Sequence, residues 1–384
     1  MSDGKTILIL GGGTGGIVAA SRLRKGLGRE HRIVLIERAA DYLFAPSLLW
    51  LMTGLRKRTA ISRPLTRLAH GIERVHGNIE AIDPLHRTVQ VNGRKLSGDY
   101  LVVALGAELA PQTVPGLAEA GHNLYELAGA EALRDARLNW RAGRLIVLVS
   151  AVPFKCPAAP YEAAMLLEYD CRKRRIRDQV TIDLYTPEPG PMPVAGAEVS
   201  QQVRQIVEAK GIGYHPGHAV SRVDAGARRI EFANGAATGF DLLVYVPPHR
   251  APQVVQDAGL CGESGWIAVD RQTLQTRFPG VYALGDVTGI MLAMGRPLPK
   301  AGVFAHGEAE VVAHNLVCAL TGRGQPRQFD GHGECFVETG DGKAGFGSGD
   351  FFAEPLPQVR LRPPGRSLHL GKIAFEKFWL FEWF

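Results

Sequence analysis

Chemistry in this chain is most readily expected at a single cysteine. Cys156 sits in VPFKCPAAPYE, residues 152–162, between two prolines and ahead of a stretch that reads as a helix over 159–171. Most unpaired cysteines are small packing residues. One held on a loop at a helix N-terminus is a poor packing residue, and its pKa is expected to be lowered, which would make it a nucleophile or redox thiol. Glu162 follows on the first turns of that helix, as an acid or base for the thiol or as a plain helix-capping acid.

Two further constellations flank it. Gly11, Gly13 and Gly16 fit G-x-G-x-x-G, with Thr14 and Gly15 inside the turn, between an apolar strand over 6–10 and a helix. Those glycines permit a tight turn and a close backbone approach to a pyrophosphate, whose charge the helix N-terminus favours. Glu37 ends the next strand about 20 residues later, where an acid takes ribose hydroxyls, and Arg38 follows it. Far along the chain, TRFPGVYALGDVT delivers Asp286 after Gly285 at the end of another strand. A carboxylate there suits the ribityl chain of a flavin, so the dinucleotide is expected to be FAD rather than NAD. VVALGA, with Ala104 and Gly106, reads as the crossover leaving that domain, and Lys300 in PLPKAG could bring positive charge near the flavin.

The elements that must hold these groups read as α/β with two Rossmann-like dinucleotide-binding domains and a small C-terminal β/helix region. Residues 1–109 and 245–325 are expected to form a discontinuous FAD-binding domain, 110–244 a second Rossmann-like domain, and 326–384 antiparallel hairpins with an aromatic end. The second domain lacks its phosphate loop. The strand over 144–150 runs into VPFKCPAAP, with no glycine between Arg144 and Gly190, and Pro153 and Pro157 remove N–H donors. NADH binding is therefore disfavoured, and Cys156 is left pointing at the crevice outside the strand ends.

Composition narrows the partners. A net charge of +6 is too diffuse to imply nucleic acid. Local basic runs, Arg56–Lys57–Arg58 with Arg63 and Arg67, and Arg172–Lys173–Arg174–Arg175 with Arg177, suit solvated faces or an anionic membrane surface. Five widely spaced cysteines make neither a disulfide framework nor a metal site. No signal peptide or membrane-spanning run is read. The last residues crowd Phe375, Phe378, Trp379, Phe381, Trp383 and Phe384 with Lys372 and Lys377, which suits a membrane interface or a quinone channel. PSLLWLMTGLRKR, 46–58, offers a second apolar segment edged by arginines.

PFKCPAAPYEAA, GGGTGG, YALGDVT, LPKAGVFAHGEAE and ECFVETGDGKAGFGSGDFF together resemble the sulfide:quinone oxidoreductases and the related flavoprotein subunits of flavocytochrome c sulfide dehydrogenase, over essentially the whole chain. The resemblance implies a redox pair made of Cys156 and Cys335, with Glu162 as acid/base. It implies oxidation of sulfide to polysulfide and transfer of two electrons through FAD to membrane quinone. The implied FAD contacts include Arg38, Pro46, Ile79, Ala104 and Ala301 besides the residues above. No cysteine precedes Cys156, so FAD is expected to be non-covalent. The expected protein is peripheral to a membrane through its aromatic end and of prokaryotic type, with a homo-oligomer left open. The alternatives are a subunit reducing cytochrome c, a type II NADH dehydrogenase, and a flavin-bearing sulfur carrier. Histidines 122, 215, 218, 249 and 306 are candidates for proton transfer, with nothing in their spacing to select one.

Overall fold

Two all-parallel five-stranded sheets organise the chain, which a computed structural model describes over residues 4–384. The first sheet uses β1 (Thr6–Leu10), β2 (Arg32–Glu37), β3 (Ile72–His76), β4 (Tyr100–Val103) and β10 (Val281–Ala283), in the order β10-β4-β1-β2-β3. The second uses β5 (His122–Asn123), β6 (Gly143–Val149), β7 (Val180–Tyr185), β8 (Gly213–His215) and β9 (Leu242–Val246), in the order β5-β9-β6-β7-β8. Strands covered on both faces read as unbroken apolar runs, as TILIL and LIVLV do here, and their side chains are buried.

Helices α1 (Thr14–Gly26) and α6 (Gly302–Thr321) pack together against the first sheet. In the second unit α3 (Leu127–Asn139), α4 (Ala159–Lys173) and α5 (Ala197–Glu208) contribute to one core with β6 and β7. The final segment is an antiparallel sheet of β11 (His332–Gly340), β12 (Lys343–Asp350) and β13 (Gln358–Gly365), followed by α7 (Arg366–Glu382). The β11–β12 end lies on α4: a Cβ at Gly340 would meet the Tyr169 side chain at 2.8 Å.

The apolar segment over 46–58 turns inward. Its short helix α2 (Leu48–Met52) is wholly buried between the two units, with Trp50 at 2% exposure. The aromatic chain end belongs to a helix of 17 residues, about 25 Å long. Among the described residues no helix is long and apolar enough to cross a membrane.

Arg137 ties α2 to the second unit. Its buried guanidinium donates to the carbonyls of Met52 and Thr53 at 2.9 and 2.6 Å and pairs with Asp170 at 2.6 Å. Removing one side of such a buried pair strands the other, so Arg137→Ala is expected to cost about 3 kcal/mol in chemical denaturation. A loss under about 0.5 kcal/mol, the level of an ordinary surface change, would show that Arg137 is no strut.

Candidate active site

The dinucleotide end is built by close backbone contacts. Gly11 closes β1 at φ +101°, and a Cβ there would lie 2.4 Å from the carbonyl oxygen of Ala104. Gly15 and Gly16 let α1 start tight against its neighbours: added Cβ atoms would strike Leu284 at 2.2 Å and the Gly11 oxygen at 1.8 Å. By contrast Gly13, just before α1, and Gly106, at φ +66°, have nothing within 4 Å of an added Cβ. Thr14 opens α1. The Glu37 carboxylate already accepts the N–H groups of Gly12 and Ala39, at 2.6 and 2.7 Å. Arg38 and Pro46 are exposed, and Ile79 is half-buried at the start of the strand Ile79–Asp83.

The second glycine–acid pair faces the same space. Gly285 turns at φ +74°, and its N–H donates to Glu308 on α6 at 2.5 Å. Burial pushes the Glu308 carboxyl up to about 7. Asp286 carries a buried Oδ1 with no partner in the protein, and burial raises its pKa while Lys155 and Lys300 pull it down. A buried polar atom without a partner calls for one. Together with the open approaches at Gly13 and Gly106, it makes a donor-accepting cradle that fits a dinucleotide carrying ribityl hydroxyls. Lys300 is buried rather than reaching outward. Its Nζ donates to the carbonyls of Asp286 and Thr288 at 2.8 and 2.9 Å and lies 3.3 Å from the Trp266 ring centroid, and burial lowers its pKa to about 8. Ala301 caps α6 next to it.

Cys156 is stitched to this segment. Its N–H donates to the Lys300 carbonyl at 2.6 Å, and Lys155 and Lys300 form an isolated parallel bridge. The Tyr125 hydroxyl donates to the carbonyls of Lys155 and Cys156 at 2.6 and 3.3 Å. The turn is sharp enough that Cys156 takes φ +52°, a left-handed conformation uncommon outside glycine. The Cys-Pro loop therefore hangs between the strand ends of the two units.

Cys335, on β11, comes into the same cluster, and each of the two cysteines is a free thiol. The expectation of a lowered thiol pKa at Cys156 fails. Burial pushes it well above its ordinary value, and negative charge on Cys335 and Glu162 adds to that, against Lys372. Cys335 is reached by solvent yet crowded by protein, which places it in a recess, and burial drives its thiol up to about 12. The half-turn of helix dipole available at the start of α4 is outweighed by desolvation.

Glu162 is 2% exposed. It does not cap α4; it accepts the Glu338 N–H at 2.7 Å and pairs with Lys372 from α7. Lys372 was read as an interface lysine, and this too is corrected: it is buried. Burial would depress its pKa, but Glu162 and Glu338 outweigh that and raise it. Glu338 is itself buried, with its pKa raised first by burial, and its carboxylate lies 2.9 and 3.0 Å from His369 Nδ1. Lys372, Glu338 and Glu308 are thus site residues that the motifs missed, and His369 stands outside them as the partner of Glu338. The signal for Lys372 was its helical spacing: Lys372, Glu376 and Trp379 recur on one face of α7, with Trp383 just past its end, and all four are buried. None of histidines 122, 215, 218, 249 and 306 is hydrogen-bonded to this cluster.

The reduced thiols carry a test. Alkylation of Cys156 and Cys335 by iodoacetamide near neutral pH should run at least about tenfold slower than that of free cysteine and climb past its pKa. A rate already at plateau near pH 7 would mean an ionised thiol and a wrong account of its surroundings.

Residues 5–309 match the family described as pyridine nucleotide-disulphide oxidoreductase. A sulfide-quinone reductase of Aquifex aeolicus (strain VF5) is 30% identical, covering 98% of this chain and 91% of its own length. The mitochondrial sulfide:quinone oxidoreductase of Mus musculus is 23% identical, over 91% of this chain and 79% of its own. The X-ray structure of the sulfide:quinone oxidoreductase from Aquifex aeolicus superposes with a TM-score of 0.87 at 27% identity, covering 98% of this chain and 91% of that one.

Proposed function

The chain belongs to the sulfide:quinone oxidoreductase family of pyridine nucleotide-disulphide oxidoreductases, and from that premise we propose that it oxidises hydrosulfide at Cys156 and Cys335 and hands two electrons to a quinone through non-covalent FAD. The observation that carries the proposal is the cluster itself. Where a second phosphate loop would stand, two cysteines share one buried Glu–Lys pair at the mouth of the dinucleotide cradle.

In the oxidised pair the cysteines are joined through sulfur. Hydrosulfide attacks one sulfur, breaking the S–S bond, and leaves a persulfide on one cysteine and a thiolate on the other. Closing that thiolate onto the persulfide makes the bridge one sulfur longer and releases two electrons and a proton. Repetition lengthens the polysulfur chain. Glu162 is the acceptor for the hydrosulfide or persulfide proton. Lys372 keeps the thiolate tolerable in a low-dielectric recess by facing both cysteines. Bound FAD would take up the two electrons and pass them on to quinone. Gly11, Gly13, Thr14, Gly15, Gly16 and Glu37 would hold its pyrophosphate and adenosine end, and Ala104, Gly106, Gly285, Asp286, Lys300 and Ala301 the flavin end, with Arg38, Pro46 and Ile79 at the margins.

The acceptor side is α7. Leu370, Phe375, Phe378 and Phe381 are exposed, at 64%, 43%, 59% and 84%, while the charged Lys372 and Glu376 are buried. A helix with four large apolar groups outward, two charges inward, and Arg366 and Lys377 left at its surface suits a lipid interface. Trp379 and Trp383 do not join that face. They pack inward, Trp379 donating to the Tyr42 hydroxyl at 2.8 Å. Phe375 also faces Phe336, next to Cys335 on β11, with ring centroids 6.4 Å apart, which suits a flat quinone ring between membrane and site.

Anaerobic sulfide should bleach the flavin of the purified protein, a soluble quinone should restore it, and NADH should do neither. Cys156→Ala and Cys335→Ala should lower sulfide-driven reduction by about a hundredfold or more. Indifference to sulfide with both cysteines intact would sink the proposal. Acid precipitation should release all the FAD into solution. Phe378→Glu with Phe381→Glu should abolish sedimentation with liposomes while leaving bleaching by sulfide intact, and unchanged sedimentation would remove α7 as the membrane face.

A further inference from the structure

We propose that Glu338 and His369 form a proton-uptake path that joins the buried Glu162–Lys372 pair to solvent. The proposal rests on the reaction proposed above, in which HS⁻ + quinone + H⁺ gives S⁰ + quinol. The sulfide half releases one proton, which Glu162 accepts, and reduction of the quinone consumes two, so one further proton must enter from solvent per turnover.

The route is laid out by exposure as well as contact. Side-chain exposure is 2% at Glu162, 9% at Lys372, 1% at Glu338 and 21% at His369, so the imidazole is the member nearest water. His369 Nδ1 is within hydrogen-bond distance of both Glu338 oxygens. The Glu338 backbone N–H and the Lys372 ammonium share one oxygen of Glu162. Lys372 and His369 stand one helical turn apart on α7, both against the buried ring of Trp50, with Nζ 5.2 Å and the imidazole 6.1 Å from its centre. The Lys372 ammonium feels the charge of both carboxylates, Glu162 and Glu338, and so links the two.

Counting charge supports a movable proton. With both carboxylates ionised, Glu162, Lys372 and Glu338 would leave one uncompensated negative charge in the interior. Burial raises the Glu338 pKa accordingly, and the imidazole of His369, the more exposed partner of that carboxylate, stands between it and water. The other charges facing this end are Arg56, stacked over Trp50 at 4.4 Å, and Asp341 at the β11–β12 turn, which is held by Arg172 and Lys210. All are paired, Arg56 with Glu376, and none interrupts the route.

His369 is hydrogen-bonded to Glu338 and to neither cysteine, so its effect should appear in proton delivery. The test uses the FAD-loaded full chain and compares wild type, His369→Gln, and His369→Ala with and without added imidazole, at about pH 6 and pH 8. Expected are a turnover about tenfold lower at the higher pH for both variants, a smaller loss at the lower pH, and recovery of His369→Ala by imidazole. Anaerobic bleaching by one equivalent of sulfide should stay near the wild-type rate. Wild-type turnover with variants that match it in rate and pH profile, and no response to imidazole, overturns the path. A wild type that sulfide does not bleach overturns the reaction and the path with it. Should His369→Gln lose FAD, His369→Asn carried through the same comparison decides by the same two results.

Discussion

The ion pair between Glu162 and Lys372 is the constraint that the rest of the site obeys. Burying either charge alone would cost several kcal/mol, so each fixes the other in place. Glu162 stands on α4, just past the Cys156 loop. Its oxygen also takes the Glu338 N–H from β11, the strand that carries Cys335. Lys372 comes from α7, the last helix. One carboxylate therefore sets the distance between two cysteines far apart in sequence and pins the terminal helix beneath them. Both members also face the thiols, Glu162 adding to the burial that raises their pKa values and Lys372 opposing it.

A second constraint comes from the backbone. Parallel sheets open ligand crevices at the carboxyl ends of their strands. The chain uses two such sheets, and the loop after β6 reaches from one to the other by pairing Lys155 with Lys300 and the Cys156 N–H with the Lys300 carbonyl. Proline at 153 and 157 makes that loop unfit to cradle phosphate. The same segment holds the turn of Asp286 through the Lys300 ammonium. What would have been a nucleotide loop has become a brace that offers a thiol to the dinucleotide cradle.

Much of this was legible in the sequence, and for physical reasons. The glycines at 11, 13 and 16 with Glu37, and Gly285 with Asp286, are local signals, because a positive φ or a close backbone approach constrains one residue type at one position. The unbroken apolar runs announced buried parallel strands. Cys156 was marked by its prolines. Its ionisation was not legible, since desolvation depends on how many atoms the fold brings around the sulfur. Lys372 was misread because composition cannot tell an interfacial aromatic helix from one that turns its charges inward. Only the partner does that, and Glu162 lies more than half the chain away. Glu338 and His369 were invisible for the same reason: their meaning is a contact between a strand and a helix separated by two further strands.

The most direct measurement is a double-mutant cycle on Glu162→Gln and Lys372→Met, read by chemical denaturation. Each single change should cost about 3 kcal/mol by stranding its partner. The double variant should recover a large part of that, for a coupling energy of about 2 kcal/mol or more. Additive losses, with coupling below about 0.5 kcal/mol, would show that the two side chains do not hold each other, and the central constraint would be lost.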